Sequence, residues 1–145
     1  REYGYKCVPA IGELRQPVWP AGVYGSISHY GTTALAVVSR QPIGIDIEEI
    51  FSVQTARELT DNIITPAEHE RLAECGLTFS LALTLAFSAK ESAFKASKIQ
   101  AAQGFLDYQI ISWNKQQIII RLEDEQFAVH WQIKEKIVIT LCQHD

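Results

Sequence analysis

A chain of 145 residues has the size of one domain, and its 47% apolar and 21% charged content is an ordinary globular balance. Lys and Arg number 13 against 17 Asp and Glu, a net charge of -4, which excludes a global attraction to nucleic acid and leaves any acidic partner to a local basic patch. No apolar run is long enough to cross a membrane, the longest candidate being Leu81 to Phe87.

Residues 1–22 carry Pro9, Gly12, Pro17, Pro20 and Gly22 and read as loop. The chain contains no methionine and opens on Arg1-Glu2-Tyr3-Gly4-Tyr5, which reads as the end of a helix, so a preceding segment is expected. No secretory pattern marks these residues. Cys7, Cys75 and Cys142 are widely spaced, without a CxxC pair, and read as reduced thiols.

Tyr24 to His29 and Thr33 to Ser39 read as two strands of a hairpin, with Tyr30-Gly31-Thr32 at the turn. Ile43 to Ile47 is a third strand, with Ile43, Ile45 and Ile47 on one face and Gly44, Asp46 and Glu48 on the other. A helix is predicted around Val53 to Leu59. A second starts at Thr65-Pro66-Ala67-Glu68, where Thr65 caps, Pro66 suits the first turn and Glu68 completes a capping box. It stops near Gly76. A third, buried helix covers roughly Ser80 to Lys98. Four short strands follow, near 107–113, 116–121, 127–133 and 136–141, with turns at Asn114-Lys115 and Lys134-Glu135. The order of elements argues for an α+β fold.

Three segments carry candidate chemistry. Asp46 and Glu48, two apart on a strand, share a face, and two such acids suit a hard divalent cation; a solvent-facing edge strand fits the same spacing. Glu91 and Lys95 share a helix face, which suits a metal ligand beside a phosphate ligand, or a plain solvated ion pair. Ser88 and Glu91 also have the spacing of a capping box. In Gly25-Ser26-Ile27-Ser28-His29, glycine permits close approach to a ligand, and Ser28 and His29 can donate to phosphate oxygens or serve structure alone.

These pieces occur in one order: Trp19-Pro20-Ala21-Gly22 with Gly25 to His29, then Gly44-Ile45-Asp46-Ile47-Glu48, then Phe87-Ser88-Ala89-Lys90-Glu91-Ser92 with Lys95. That succession resembles the signature of the 4'-phosphopantetheinyl transferases, of the longer, two-lobed type, and the likeness runs from Arg1 to Asp145. The resemblance implies a pseudo-twofold pair of similar α+β lobes with coenzyme A between them. Residues 1–42 would be the remainder of an incomplete first lobe, and 43–145 the C-terminal lobe with the metal site.

By position, the resemblance makes Asp46, Glu48 and Glu91 ligands of Mg2+. It makes Ser28, His29, Lys90 and Lys95 contacts of coenzyme A, with Asp46 beside it. Glu91 and Lys95 take the catalytic roles. Tyr30 departs from the family, which often has a smaller residue after the histidine.

The implied reaction moves 4'-phosphopantetheine from coenzyme A to a serine of a carrier protein. The acceptors implied are aryl and peptidyl carrier protein domains of a siderophore synthase, and the location is cytoplasmic, with room for peripheral membrane association in a synthase complex. Two rival readings remain: a pyrophosphate-cleaving metal hydrolase, and a module that binds coenzyme A or carrier protein without turnover.

Overall fold

The computed structural model describes residues 10–11, 17–18, 20–97 and 104–144. Expectations for Cys7, Trp19 and Lys98 lie outside these. Within the segment read as loop, β1 (Ala10–Ile11) and β2 (Pro17–Val18) form a short antiparallel ladder that turn residues alone do not announce.

Strands β3 (Tyr24–Tyr30) and β4 (Thr33–Ser39) form the expected hairpin, in register from Tyr24 opposite Ser39 to Tyr30 opposite Thr33. Gly31 takes φ +59°, the left-handed conformation that so tight a turn requires. Next comes β5 (Ile43–Glu49), followed by three helices. Ser52 caps α1 (Val53–Ile63) by accepting from the Thr55 N–H. Thr65 and Glu68 close both halves of the capping box on α2 (Pro66–Glu74). The helix α3 (Phe79–Ala96) carries the third segment of the signature.

A single 3-10 turn (Phe105–Asp107) leads into β6 (Gln109–Trp113), β7 (Gln117–Leu122), β8 (Glu125–Lys134) and β9 (Ile137–Gln143). The sheet order is β5-β9-β8-β7-β6, antiparallel throughout, so β5 returns from the front of the chain to an edge beside the last strand. Asn114 Oδ1 accepts from the N–H groups of Gln116 and Gln117 at the first turn of this meander.

The α+β core lies between α3 and this sheet. Ala82, Leu83, Leu85, Ala86, Ala89 and Ala93 of α3 meet Ile118, Ile120, Phe127, Val129 and Val138 of the strands, all fully buried. The alanines bring the helix axis close to the sheet, and each large aliphatic side chain buried here is worth about 1.5–3 kcal/mol. No single helix among the described residues is long and apolar enough to cross a membrane.

The hairpin joins the larger sheet through side chains. Ser26 Oγ accepts the Ile45 N–H at 2.9 Å and Ser28 Oγ accepts the Ile47 N–H at 3.0 Å. Two serines spaced two apart thus satisfy the outer edge of β5, where a further strand would otherwise pair. Tyr30 adds a hydroxyl bond to Glu49 Oε1 at 2.9 Å, which ties the hairpin tip to β5.

Candidate active site

Alternation on β5 turns Gly44, Asp46 and Glu48 toward α3, as the sequence reading expects. The contact is close because position 44 has no side chain: a Cβ there would stand 2.0 Å from the Ser92 carbonyl oxygen and 2.9 Å from Lys95 Cβ. Gly44 therefore sets the depth at which α3 lies, and with it the distance from Asp46 to the helix.

Glu91 and Lys95 share the helix face beside those acids. Asp46 is buried, and Glu48 and Glu91 are half-buried. Burial, partly offset by bonds from Glu48 and the nearby Lys95, pushes the Asp46 carboxyl above its usual range. Burial, followed by the hydrogen bond to Asp46 and its charge, pushes Glu48 up to about 8. Burial and then the charge of Asp46 push Glu91 up as well. Burial raises all three carboxyls, and the charge of Asp46 raises Glu48 and Glu91 further, so the cluster is a pocket of negative charge that a cation relieves.

One atom points the same way. Asp46 Oδ2 is buried without a hydrogen-bond partner. As the side chains stand, no three acidic, histidine or cysteine groups among the described residues surround one point at ligand distance. The acids are neighbours, short of a formed coordination shell, and their all-oxygen donor set fits a hard divalent ion such as Mg2+.

Lys95 Nζ sits at the seam between hairpin and sheet. It donates to Ile45 O at 2.8 Å and Ile27 O at 3.3 Å and lies 3.5 Å from Asp46 Oδ1, with its side chain 28% exposed. It is thus a partly open cation beside the acids, held by carbonyls of both β3 and β5.

Other expected residues fall differently. Ser28 is buried and its Oγ already accepts the Ile47 N–H, so only its O–H remains for a ligand. His29, next along the pleat, is exposed on the opposite face of β3. Ser88 lies inside α3, so the capping-box reading of Ser88 and Glu91 is corrected: the helix already begins at Phe79.

Lys90 is placed elsewhere. Adjacent to Glu91 in sequence, it turns to the other side of α3, where its Nζ donates to Ile63 O at 2.6 Å, Phe105 O at 2.9 Å and Glu68 Oε1 at 3.0 Å. Its side chain is 0% exposed and that of Glu68 1%. Its three N–H donors meet three acceptors in a fully buried setting, so unlike the partly exposed Lys95 it has no opening toward a phosphate. Glu68 was legible only as a capping residue; its second oxygen also accepts the Ile110 N–H at 2.8 Å. Nothing local in the sequence marks that pair.

Beside Glu91 and Lys90, a mainly apolar pocket of about 160 Å³ opens between Phe94, Gly104, Phe105 and Tyr108.

A two-layer α+β fold with an acid cluster and a lysine where β5 meets α3 defines a class, and comparison identifies it. Residues 42–142 match the 4'-phosphopantetheinyl transferase superfamily, and residues 1–39 match the 4'-phosphopantetheinyl transferase N-terminal domain. The chain belongs to the 4'-phosphopantetheinyl transferase superfamily, a family of enzymes, as its three-part signature implied.

Among its relatives is enterobactin synthase component D of Escherichia coli (strain K12), 91% identical over 145 residues, covering 100% of this chain and 70% of that protein. The protein of the same name from Salmonella typhi is 52% identical over 123 residues, covering 84% of this chain and 53% of that one. The fold is also that of Helicobacter pylori holo-[acyl-carrier-protein] synthase, solved in complex with coenzyme A. The TM-score is 0.57 at 19% identity, covering 71% of this chain and 99% of that one.

Proposed function

We propose that this chain transfers 4'-phosphopantetheine from coenzyme A to a serine of apo carrier protein domains, in a Mg2+-dependent reaction serving siderophore biosynthesis. The observation that carries this reading is the convergence of Asp46, Glu48 and Glu91 beside Lys95 at the junction of β5 and α3. Its relatives are named for enterobactin synthesis and a structural neighbour for holding coenzyme A, which supports both the pathway and the substrate.

Residues 1–42 form the remainder of the first lobe in this reading and 43–145 the second, the pair being related by a pseudo-twofold. The acceptors are aryl and peptidyl carrier domains of the synthase, met in the cytoplasm.

In the transfer, the carrier serine oxygen forms a bond to the phosphorus that bears pantetheine. The bond from that phosphorus to the nucleotide bisphosphate breaks, and its electron pair leaves with the nucleotide. Asp46, Glu48 and Glu91 would hold Mg2+, which when bound neutralises pyrophosphate charge and stabilises the leaving oxygens. Lys95, whose side chain is 28% exposed, would exchange one of its three present acceptors for the same oxygens. The Ser28 hydroxyl and the exposed His29 supply further donors along β3. Glu91, a carboxylate beside the other two acids, is the group placed to take the serine proton.

The test is incubation of the protein with Mg2+, coenzyme A and an apo carrier domain, read by mass spectrometry. A gain of one phosphopantetheine on the carrier, lost in Asp46→Ala and Glu91→Ala, supports transfer. Nucleotide release without carrier modification indicates a hydrolase, and binding without either product indicates a non-catalytic module.

A further inference from the structure

Beneath the acid cluster lies a set of buried hydroxyls that the transfer chemistry does not use. Thr140 stands opposite Asp46 in the β5–β9 ladder, so both side chains project toward α3. There Thr140 Oγ1 meets Ser92 Oγ at 2.6 Å and Ser88 Oγ at 2.8 Å, and Ser92 Oγ also reaches Thr140 O at 3.1 Å. Thr140 Oγ1 donates to the Ser88 carbonyl oxygen at 2.9 Å. All three residues are fully buried.

Ser88 and Ser92 are one helical turn apart, and Glu91 lies between them. Each hydroxyl has a single proton to give. With the Thr140 proton given to the Ser88 carbonyl, the Ser88 hydroxyl donates to Thr140 Oγ1, and the Ser92 hydroxyl has Thr140 Oγ1 and the Thr140 carbonyl oxygen as acceptors. The three hydroxyls thus form one closed, mutually satisfied set that ties α3 to β9.

A slide or rotation of α3 against β9 breaks these contacts, because Thr140 is stiff at χ1 and sits on the central part of its strand. The same slide would carry Glu91 and Lys95 away from Asp46.

We infer that Thr140 is a positioning residue for the cation site: its hydroxyl locks Ser88 and Ser92, and through them sets α3 at the register in which Glu91 faces Asp46 and Glu48. This rests on the reading of those three acids as a divalent cation site. Thr140 touches neither substrate nor cation, and acts through the two serines.

The experiment measures Mn2+ binding to the purified full chain by electron paramagnetic resonance, without coenzyme A. The variants are Thr140→Val, Thr140→Ser, Ser92→Ala and Asp46→Ala, each checked for folding by circular dichroism. Val keeps the shape of Thr and removes the hydroxyl. Thr140→Val is expected to weaken Mn2+ binding by about tenfold or more, the range for removing a group that supports metal ligands, and Thr140→Ser to restore most of it. If Thr140→Val does not fold, Ser92→Ala carries the test, with a loss in the same direction. Wild-type affinity in a folded Thr140→Val or Ser92→Ala, with Asp46→Ala impaired, overturns the positioning role alone. Wild-type affinity in Asp46→Ala overturns the cation site and the role of Thr140 with it.

Discussion

Gly44 and Ser92 are in contact across the junction of strand and helix, and the fit admits no side chain: a Cβ on Gly44 would meet the Ser92 carbonyl oxygen at 2.0 Å. The obstacle is helix backbone, so it cannot rotate away. Gly44→Ala must push α3 off β5 or bend β5 away from β9. Overpacking of this kind costs about 1–3 kcal/mol, and this contact places it at the upper end. Urea unfolding should show the loss as a lowered midpoint. The same displacement separates Glu91 and Lys95 from Asp46, so transfer should fall by more than the fraction unfolded accounts for.

That glycine also shows what the sequence made legible. Strand alternation put Gly44, Asp46 and Glu48 on one face, and helical spacing paired Glu91 with Lys95, because both periodicities are local. Local spacing does not say which side of α3 faces the sheet. Lys90 and Glu91 are neighbours about 100° apart around the helix, so one turned to the acids and the other to a partner 22 residues away, Glu68. Thr140 meets Ser88 across 52 residues, in a strand whose apolar run drew attention to packing alone. Ser28 read as a phosphate donor or a structural residue, and the bonds of Ser26 and Ser28 to β5 depend on a sheet edge that only tertiary structure supplies.

The Lys90–Glu68 pair should behave as a structural element. Lys90→Met leaves the Glu68 carboxylate buried and short of its cation, and breaking such a pair costs about 3–5 kcal/mol. Adding Glu68→Gln removes the second charge, so the double variant should lose less than the sum of the two single losses. The apparent KM for coenzyme A should stay near wild type in whatever fraction remains folded. A large KM increase without loss of stability would return Lys90 to the phosphate-binding role that its place in the signature implied.

The acid cluster predicts a pH dependence of stability in cation-free protein. Glu48 is pushed up to about 8 from an ordinary value of 4.5, and Asp46 and Glu91 move in the same direction. A carboxyl with a raised folded-state pKa binds its proton more tightly in the native state. Its contribution is therefore fully present below the unfolded value and is lost as pH rises through the folded one. Thermal unfolding in the presence of a chelator should show a falling midpoint between about pH 5 and about pH 8 from this cluster. Mg2+ should raise the midpoint most at the alkaline end, where the acids are ionised and bind it best. Asp46→Asn should flatten both trends, since it removes the charge that raises its neighbours.

The two cysteines among the described residues should separate by reactivity. Cys142, on the helix-facing side of β9 opposite Gly44, is fully buried, and burial pushes its thiol up to about 12. Cys75, at the C-terminal end of α2, is half-buried. Alkylation proceeds through the thiolate, so Cys142 should resist iodoacetamide at neutral pH until the sheet opens, whereas Cys75 should react in the native state. Peptide mapping by mass spectrometry over a urea series measures both. Labelling of Cys142 should rise with the global unfolding transition, because β9 is flanked on both sides by β5 and β8 and no local opening frees it. Labelling well before that transition would mean that β5, and with it Asp46 and Glu48, detaches from β9 as a separate unit.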